Sequence, residues 1–275
     1  MTRIAIRVDA SAAIGTGHLR RCLSLAQALT VAGAEVRFVC RAFDSVAAQV
    51  LSSETALVHW LPARPEPFAP EPDAPPHAAW AGVPQTLDVA DTAQALADWL
   101  PDAVVVDHYA FDAHWHGGVR DALGCRLLVI DDTADRKVDA DILLDPNWAP
   151  DHHAKYAGRL QRDPRWLCGP RFALLSSGYR NAVRYAFSET VRSIGIFMGG
   201  TDPGGTSVRA LTACRNAGFT GEVEVASTSA NPELVELRNA CKHDGQAILT
   251  LDQPDLVGFF CRHDLQIGQI GRAHV

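Results

Sequence analysis

This sequence predicts an α/β fold made of two doubly wound, Rossmann-like halves, and three observations carry the prediction. Apolar runs of strand length alternate with amphipathic stretches of helical period along most of the 275 residues, the pattern of parallel sheets with helical crossovers. A glycine turn follows the first strand, at Gly15-Thr16-Gly17-His18, and another follows the strand that opens the C-terminal part, at Gly199-Gly200-Thr201-Asp202. The strand and helix rhythm lapses after Pro146 and restarts beyond Ser188. The implied organisation is a first domain at 1–150, a connecting segment at 151–190, a partial second domain at 191–268 and a tail at 269–275.

The first strand reads Arg3 to Val8 and ends at Asp9. Behind the glycine turn, Leu19, Cys22, Leu23, Ala26 and Leu29 recur at helical spacing, and the helix stops at Gly33. Gly15 and Gly17 let the backbone approach a ligand, and the free N–H groups of a helix start can bind a phosphate, with His18 beside it. Arg20 and Arg21 oppose the helix macrodipole, at about 0.3–1 kcal/mol each where exposed, and an anionic ligand would reverse that penalty. The dinucleotide fingerprint fits poorly, because Arg20 takes the third glycine position and the second strand ends at Arg41 in place of an acid. NAD is therefore not expected.

Further strands are expected near 35–41, 55–60, 102–107 and 126–130. Half of the 16 prolines fall between Pro62 and Pro84, which marks a long loop with the composition of a mobile one. Ala103 to Val106 runs into Asp107-His108-Tyr109, at the strand end where open α/β sheets place ligands. Leu127 to Ile130 runs into Asp131-Asp132, and Asp141 to Asp145 follows. The Asp139 and Asp141 pair is read as solvated, since no further metal ligands cluster nearby. After the irregular stretch with Trp148, Trp166 and Gly169-Pro170, strands are expected at 192–198, 222–226, 246–251 and 265–268, with a helix from Gly205 to Asn216. Two such halves with a ligand cleft between them are the architecture of nucleotide-sugar enzymes of the GT-B type.

Composition bounds the function. A net charge of -7 argues against nonspecific nucleic-acid binding. No charged and apolar leader is visible and no apolar run approaches the ~18 to 20 residues that span a bilayer, so the expected setting is the cytoplasm without a membrane partner. The seven cysteines form no Cys-x-x-Cys pair, so they are read as small buried hydrophobes and not as zinc ligands or disulfides. His114, His116, His152 and His153 are read as surface residues, and neither a metal nor a cofactor is expected.

The ordered motifs resemble a specific family, the UDP-2,4-diacetamido-2,4,6-trideoxy-β-L-altropyranose hydrolases of pseudaminic acid biosynthesis. The likeness is carried by Arg7-x-Asp9-Ala10-Ser11, Ile14-Gly15-Thr16-Gly17-His18, Arg21-Cys22-Leu23, Val106-Asp107-His108-Tyr109, Asp131-Asp132 and Asp141 to Asp145. It continues through Gly169-Pro170-x-Phe172, Met198-Gly199-Gly200-Thr201-Asp202 and Thr228-Ser229-x-Asn231-Pro232, along nearly the whole chain. The resemblance implies hydrolysis of a UDP-activated diacetamido trideoxy sugar to UDP and free sugar, with His18 as the catalytic residue. That agrees with residue chemistry, because a neutral imidazole can take a proton from water as it attacks the anomeric carbon. Fixed donors and helix N-termini can stabilise the departing UDP without a metal.

In this reading Gly15, Thr16, Gly17 and Arg21 surround the substrate, and Asp9, Asp107, His108 and Tyr109 line the sugar side or position His18. Gly199, Gly200, Thr201 and Asp202 lie near the diphosphate or sugar, and Thr228, Ser229 and Asn231 near the nucleoside. For Asp107 a strand-end carboxylate capping local N–H groups fits equally well, and His108 fits equally well as a packed residue. Two other readings stand beside this one. A GT-B glycosyltransferase would pass the sugar to an acceptor, and a nonenzymatic module would bind the nucleotide sugar without turnover. The oligomeric state is left open.

Members of this family continue beyond Gly268 into a glycine- and serine-rich loop and further elements. Here Ile270-Gly271-Arg272-Ala273-His274-Val275 matches one reading frame of a sequencing adapter. The expectation is a natural sequence ending near Gly268, a fourth strand at Leu265 to Gly268 left with an unpaired edge, and little or no turnover by the 275-residue chain.

Overall fold

A computed structural model describes the chain except for residues 53–55, 65–67, 184–185, 203, 254–255 and 269–275. The expected tail at 269–275 therefore lies outside the described residues. The chain divides into two compact units, Met1–Leu175 and Ser176–Val275.

The first unit holds a parallel sheet of seven strands: β1 (Arg3–Val8), β2 (Glu35–Arg41), β3 (Leu57–Leu61), β4 (Ala103–Asp107), β5 (Arg126–Ile130), β6 (Ile142–Asp145) and β7 (Arg165–Cys168). Their order is β3-β2-β1-β4-β5-β6-β7. The helices are α1 (Gly17–Val31), α2 (Val46–Leu51), α3 (Gln85–Leu96), α4 (Ala113–Leu123) and the single turn α5 (His152–Lys155). Central strands of a covered parallel sheet are buried on both faces, and the alternation is visible in β4. Val104 and Val106 join Trp115, Val119 and Leu127 in one core, whereas Val105 joins Ile6, Val8, Leu19, Cys22 and Phe38 in the other. The apolar stripe of α1 enters that second core, and each fully buried Leu there contributes about 1.5–3 kcal/mol.

Strand order reverses between β1 and β4, so the C-terminal ends of these two neighbours form a topological switch point. Their register sets Val8 opposite Asp107, which brings the glycine turn after β1 beside the end of β4.

Four sequence expectations change. β7 lies in the stretch read as a connection, and the first unit runs on to Leu175 because this strand pairs with β6. The end of the proline-rich loop is packed down: a short 3-10 turn spans Ala78–Ala81, and Ala78, Ala81 and Val83 are all buried. His116 is not a surface residue. It faces inward from α4 and is 1% exposed, its Nδ1 accepts from the Asp139 N–H at 3.3 Å, and burial pushes its pKa down to about 3. Nor is the Asp139 and Asp141 pair simply solvated: Asp139 is buried, and both carboxylates are engaged by the guanidinium groups of Arg120 and Arg162.

The second unit is a four-stranded parallel sheet of β8 (Ser193–Phe197), β9 (Glu222–Ser227), β10 (Ala247–Leu251) and β11 (Leu265–Gly268), ordered β10-β9-β8-β11. With it go α6 (Ser177–Arg180), α7 (Thr206–Asn216), α8 (Leu234–Asp244) and α9 (Val257–Arg262). Ile194, Ile196, Val223, Val225, Leu211 and Leu237 form its core. Among the described residues β11 is an edge strand paired with β8 alone. Five of the seven cysteines are buried and all are free thiols. Among the described residues no helix is long and apolar enough to cross a membrane.

Candidate active site

The glycine turn is a tight, specified structure. Gly15 sits at φ +81°, a conformation that glycine adopts freely, and its N–H donates to the Ser11 carbonyl at 2.7 Å. The Ser11 hydroxyl accepts the Ile14 N–H at 3.1 Å. Helix α1 then starts with no side-chain cap from Thr16 and no acid in its own first turn, so no side chain of that turn opposes the partial positive charge of the helix start.

His18 is the second residue of α1, and Arg21 and Cys22 follow at i+3 and i+4, on the same face. All three converge on Asp107 at the end of β4. The His18 Nδ1 lies 2.6 Å from Oδ1 of Asp107, and Arg21 forks onto the same carboxylate with Nε to Oδ2 and Nη2 to Oδ1, each at 2.6 Å. The Cys22 thiol reaches Oδ2 at 3.5 Å. Burial pushes the Asp107 carboxyl upward, but the Arg21 guanidinium and His18 override it and hold the group well below the usual carboxylate range. An ionised carboxylate only accepts, so Nδ1 of His18 carries a proton, and with a single ring proton the lone pair is on Nε2. That Nε2 is buried and has no hydrogen-bond partner among the described residues.

Aromatic rings enclose the imidazole. Tyr109 meets it edge-on at 4.7 Å between centroids and Trp80, from the 3-10 turn, at 6.1 Å. The Tyr109 hydroxyl donates to Asp132 in a short hydrogen bond, and burial raises the phenol well above its usual range, so it stays a donor. Asp132 also accepts from the Asn147 amide at 2.9 Å and lies 4.0 Å from Nη1 of Arg21. Lys155 ties the next strand end in, donating to the Asp132 carbonyl at 2.8 Å and to the Asp145 carboxylate at 2.6 Å.

Asp107, Tyr109 and Arg21 are thus brought to His18, with Arg21 committed to Asp107 instead of lying open to a phosphate. Asp9 and His108 lie beneath. Asp9 accepts from Arg7 Nη1 and from the Arg41 N–H, each at 2.6 Å, and its other oxygen faces Nε2 of His108 at 3.1 Å, near enough for an ion contact though not aligned as a hydrogen bond. Burial lowers the His108 pKa, its ring stacks on Phe111 at 4.3 Å, and no contact joins it to His18 among the described residues. Asn147 and Trp80 were not singled out by sequence, and Asp132 was noted only as part of a motif, without a role at the site. Asp131-Asp132 carried a signal as an acidic strand end, whereas a tryptophan in a proline-rich loop carried none. An open cup of about 390 Å³ lies along Trp148, Pro150, Ala154 and Lys155, and none of these touches His18 among the described residues. Nor do the described residues contain a group of three or more acidic, histidine or cysteine side chains placed to hold a metal.

In the second unit Gly199, Gly200, Thr201 and Asp202 follow β8 and Thr228, Ser229 and Asn231 follow β9, at the same end of that sheet. The Thr228 hydroxyl joins the two turns by donating to the Gly200 carbonyl at 2.7 Å. Asp202 occupies the start of α7 with its own carboxylate, accepting the N–H groups of Thr206 and Ser207 at 3.0 and 2.9 Å. Ser229 is held on Asp252 through its N–H at 2.8 Å, and buried Asn231 donates to the Ser227 hydroxyl at 3.0 Å.

Two parallel α/β units of this kind make the chain GT-B-like, and solved structures bear this out. The chain is similar to UGT89C1 of Arabidopsis thaliana complexed with UDP, at a TM-score of 0.63 and 14% identity over 98% of this chain and 75% of that one. It is similar to MurG of Acinetobacter baumannii at a TM-score of 0.57 and 10% identity, over 98% and 73%. Os79 H122A/L123A from O. sativa, solved with UDP, gives a TM-score of 0.56 and 14% identity over 98% and 77%. Comparison with family models and with curated proteins finds no match.

Proposed function

We propose that this protein acts on a UDP-sugar, with His18 as the general base that activates the attacking hydroxyl at the anomeric carbon. The observation that carries the reading is the buried, unpartnered Nε2 of an imidazole whose Nδ1 is tied to Asp107. This fixes tautomer and ring orientation before any reactant arrives. As the nucleophile's oxygen bonds to the anomeric carbon, its proton passes to Nε2 and the bond from that carbon to the phosphate oxygen breaks, its electrons leaving with UDP. The imidazolium so formed rests against the Asp107 carboxylate. Rings of Tyr109 and Trp80 around the base limit water and strengthen that charge pairing.

The resemblance of the motif series supports water as the nucleophile and a diacetamido trideoxy sugar as the group released. Fold likeness supports a second reading, in which an acceptor hydroxyl takes the place of water, because UGT89C1 has been solved both with UDP-L-rhamnose and with quercetin. The chemistry demanded of His18 is the same in both. Incubation of the full chain with a UDP-diacetamido-trideoxyhexose, with and without a hydroxyl acceptor, separates them. UDP released without acceptor marks hydrolysis, and release only with acceptor marks transfer. In either case His18→Asn is expected to lower the rate by about 10²-fold or more, and an unchanged rate would remove His18 from the mechanism.

A further inference from the structure

The geometry points to Trp80 as the surface on which the sugar ring of the substrate packs beside His18, favouring deoxygenated and N-acetylated sugars over hydroxyl-rich ones. This rests on the reading of His18 as the base of a UDP-sugar enzyme. Three rings form one cluster around the imidazole: Trp80 and Tyr109 lie nearly parallel, with centroids 6.1 Å apart and planes at 27°, and His77 sits 4.6 Å from Trp80 and 5.7 Å from Tyr109. Tyr109 is 0% exposed and its hydroxyl is engaged by Asp132, so its surface is already used. Trp80 is only partly buried, and with the half-buried His77 against it the indole gives the ring cluster its solvent side.

The turn that carries the indole is itself fixed, and the indole packs against the core of the first unit. Ala78, Ala81 and Val83 are buried on either side of it, and the turn is closed by the Trp80 N–H to the His77 carbonyl at 2.9 Å and the Gly82 N–H to the Ala79 carbonyl at 3.1 Å. A rigid aromatic face bordering a general base suits a ring that presents C–H groups and methyls, as a trideoxy sugar with two acetamido groups does. A hydroxyl set against the same ring face would lose water partners that an apolar surface does not replace.

The test uses the six indole N–H signals of the full chain, with Trp80→Phe assigning the one that belongs to Trp80. The free 2,4-diacetamido-2,4,6-trideoxyhexose and its UDP conjugate are each expected to shift that signal, and UDP alone is not. Trp80→Ala should weaken binding of the free sugar about tenfold and Trp80→Phe by less, with the affinity for UDP unchanged in both. If the UDP-sugar moves other resonances but leaves the Trp80 signal unmoved, the inference falls and the reading of the site stands. If the UDP-sugar moves nothing and no UDP is released, both fall.

Discussion

One carboxylate organises the candidate site. Asp107 is fully buried and accepts from an arginine fork, an imidazole and a thiol, so its charge is matched by Arg21 while His18 is oriented by the oxygen they share. Asp107→Asn should therefore do two things at once. Leaving the Arg21 guanidinium without its carboxylate costs about 3–5 kcal/mol of unfolding free energy, read from denaturant midpoints. Replacing one carboxylate oxygen by an amide NH2, which donates and cannot accept, should redistribute the His18 tautomers, read from ¹⁵N shifts above neutral pH. A variant that keeps both its stability and the Nδ1–H tautomer would sink this account of the dyad. Part of the arrangement was legible beforehand: His18 and Arg21 stand at helical i, i+3 spacing after a glycine turn, and Asp107 ends a strand. That Arg21 is taken up internally was not, because spacing along a chain gives no sign of which opposite charge a fold will bring within reach.

Among the elements, the short turn Ala78–Ala81 shows where sequence reading gives out. Proline density marks a loop but cannot say that its last residues will be drawn into the core, since that depends on Ala78, Ala81 and Val83 finding apolar partners far away in sequence. Gly82 is the residue that closes it. At φ +67° it occupies a conformation that side chains rarely adopt, and an added Cβ would lie 2.5 Å from a ring carbon of Phe43. Gly82→Ala should thus cost about 1–3 kcal/mol through strain and overpacking. Because Trp80 stands two residues earlier, the same change should broaden or move its indole N–H signal. An equally stable variant with an unmoved signal would show that the turn does not depend on this glycine. β7 escaped notice for a related reason: a four-residue strand on a sheet edge, with Arg165 exposed, lacks the apolar run by which β4 and β5 announce themselves.

Across the whole molecule, the doubly wound character was readable because the central strands of a parallel sheet must be apolar on both faces, while the inward turn of His116 was hidden by a polar side chain on a core-facing helix position. The buried charges of the first unit give it a common response to acid. Burial pushes the carboxyls of Asp9, Asp88, Asp107 and Asp131 up, yet Arg7, Arg41, Arg21 and Arg136 outweigh it and keep all four below the usual range. Burial also lowers His108, and lowers His116 to about 3. In both classes the unfolded chain takes up protons that the folded chain refuses, so stability is fully present above the unfolded values and is lost as pH falls. Loss begins below about pH 6.5 from the histidines, at up to about 1.4 kcal/mol per pH unit for one held neutral in the fold, and steepens below about pH 4 as the carboxylates join. Urea unfolding across that range should show His116→Gln flattening the slope between about pH 6 and 5 by the share of one histidine. His108, which faces Asp9 and the Arg7 guanidinium and is disfavoured as a cation by burial, acts in the same direction. A slope identical to that of the parent chain would mean that His116 titrates normally and is not the buried neutral group its surroundings require.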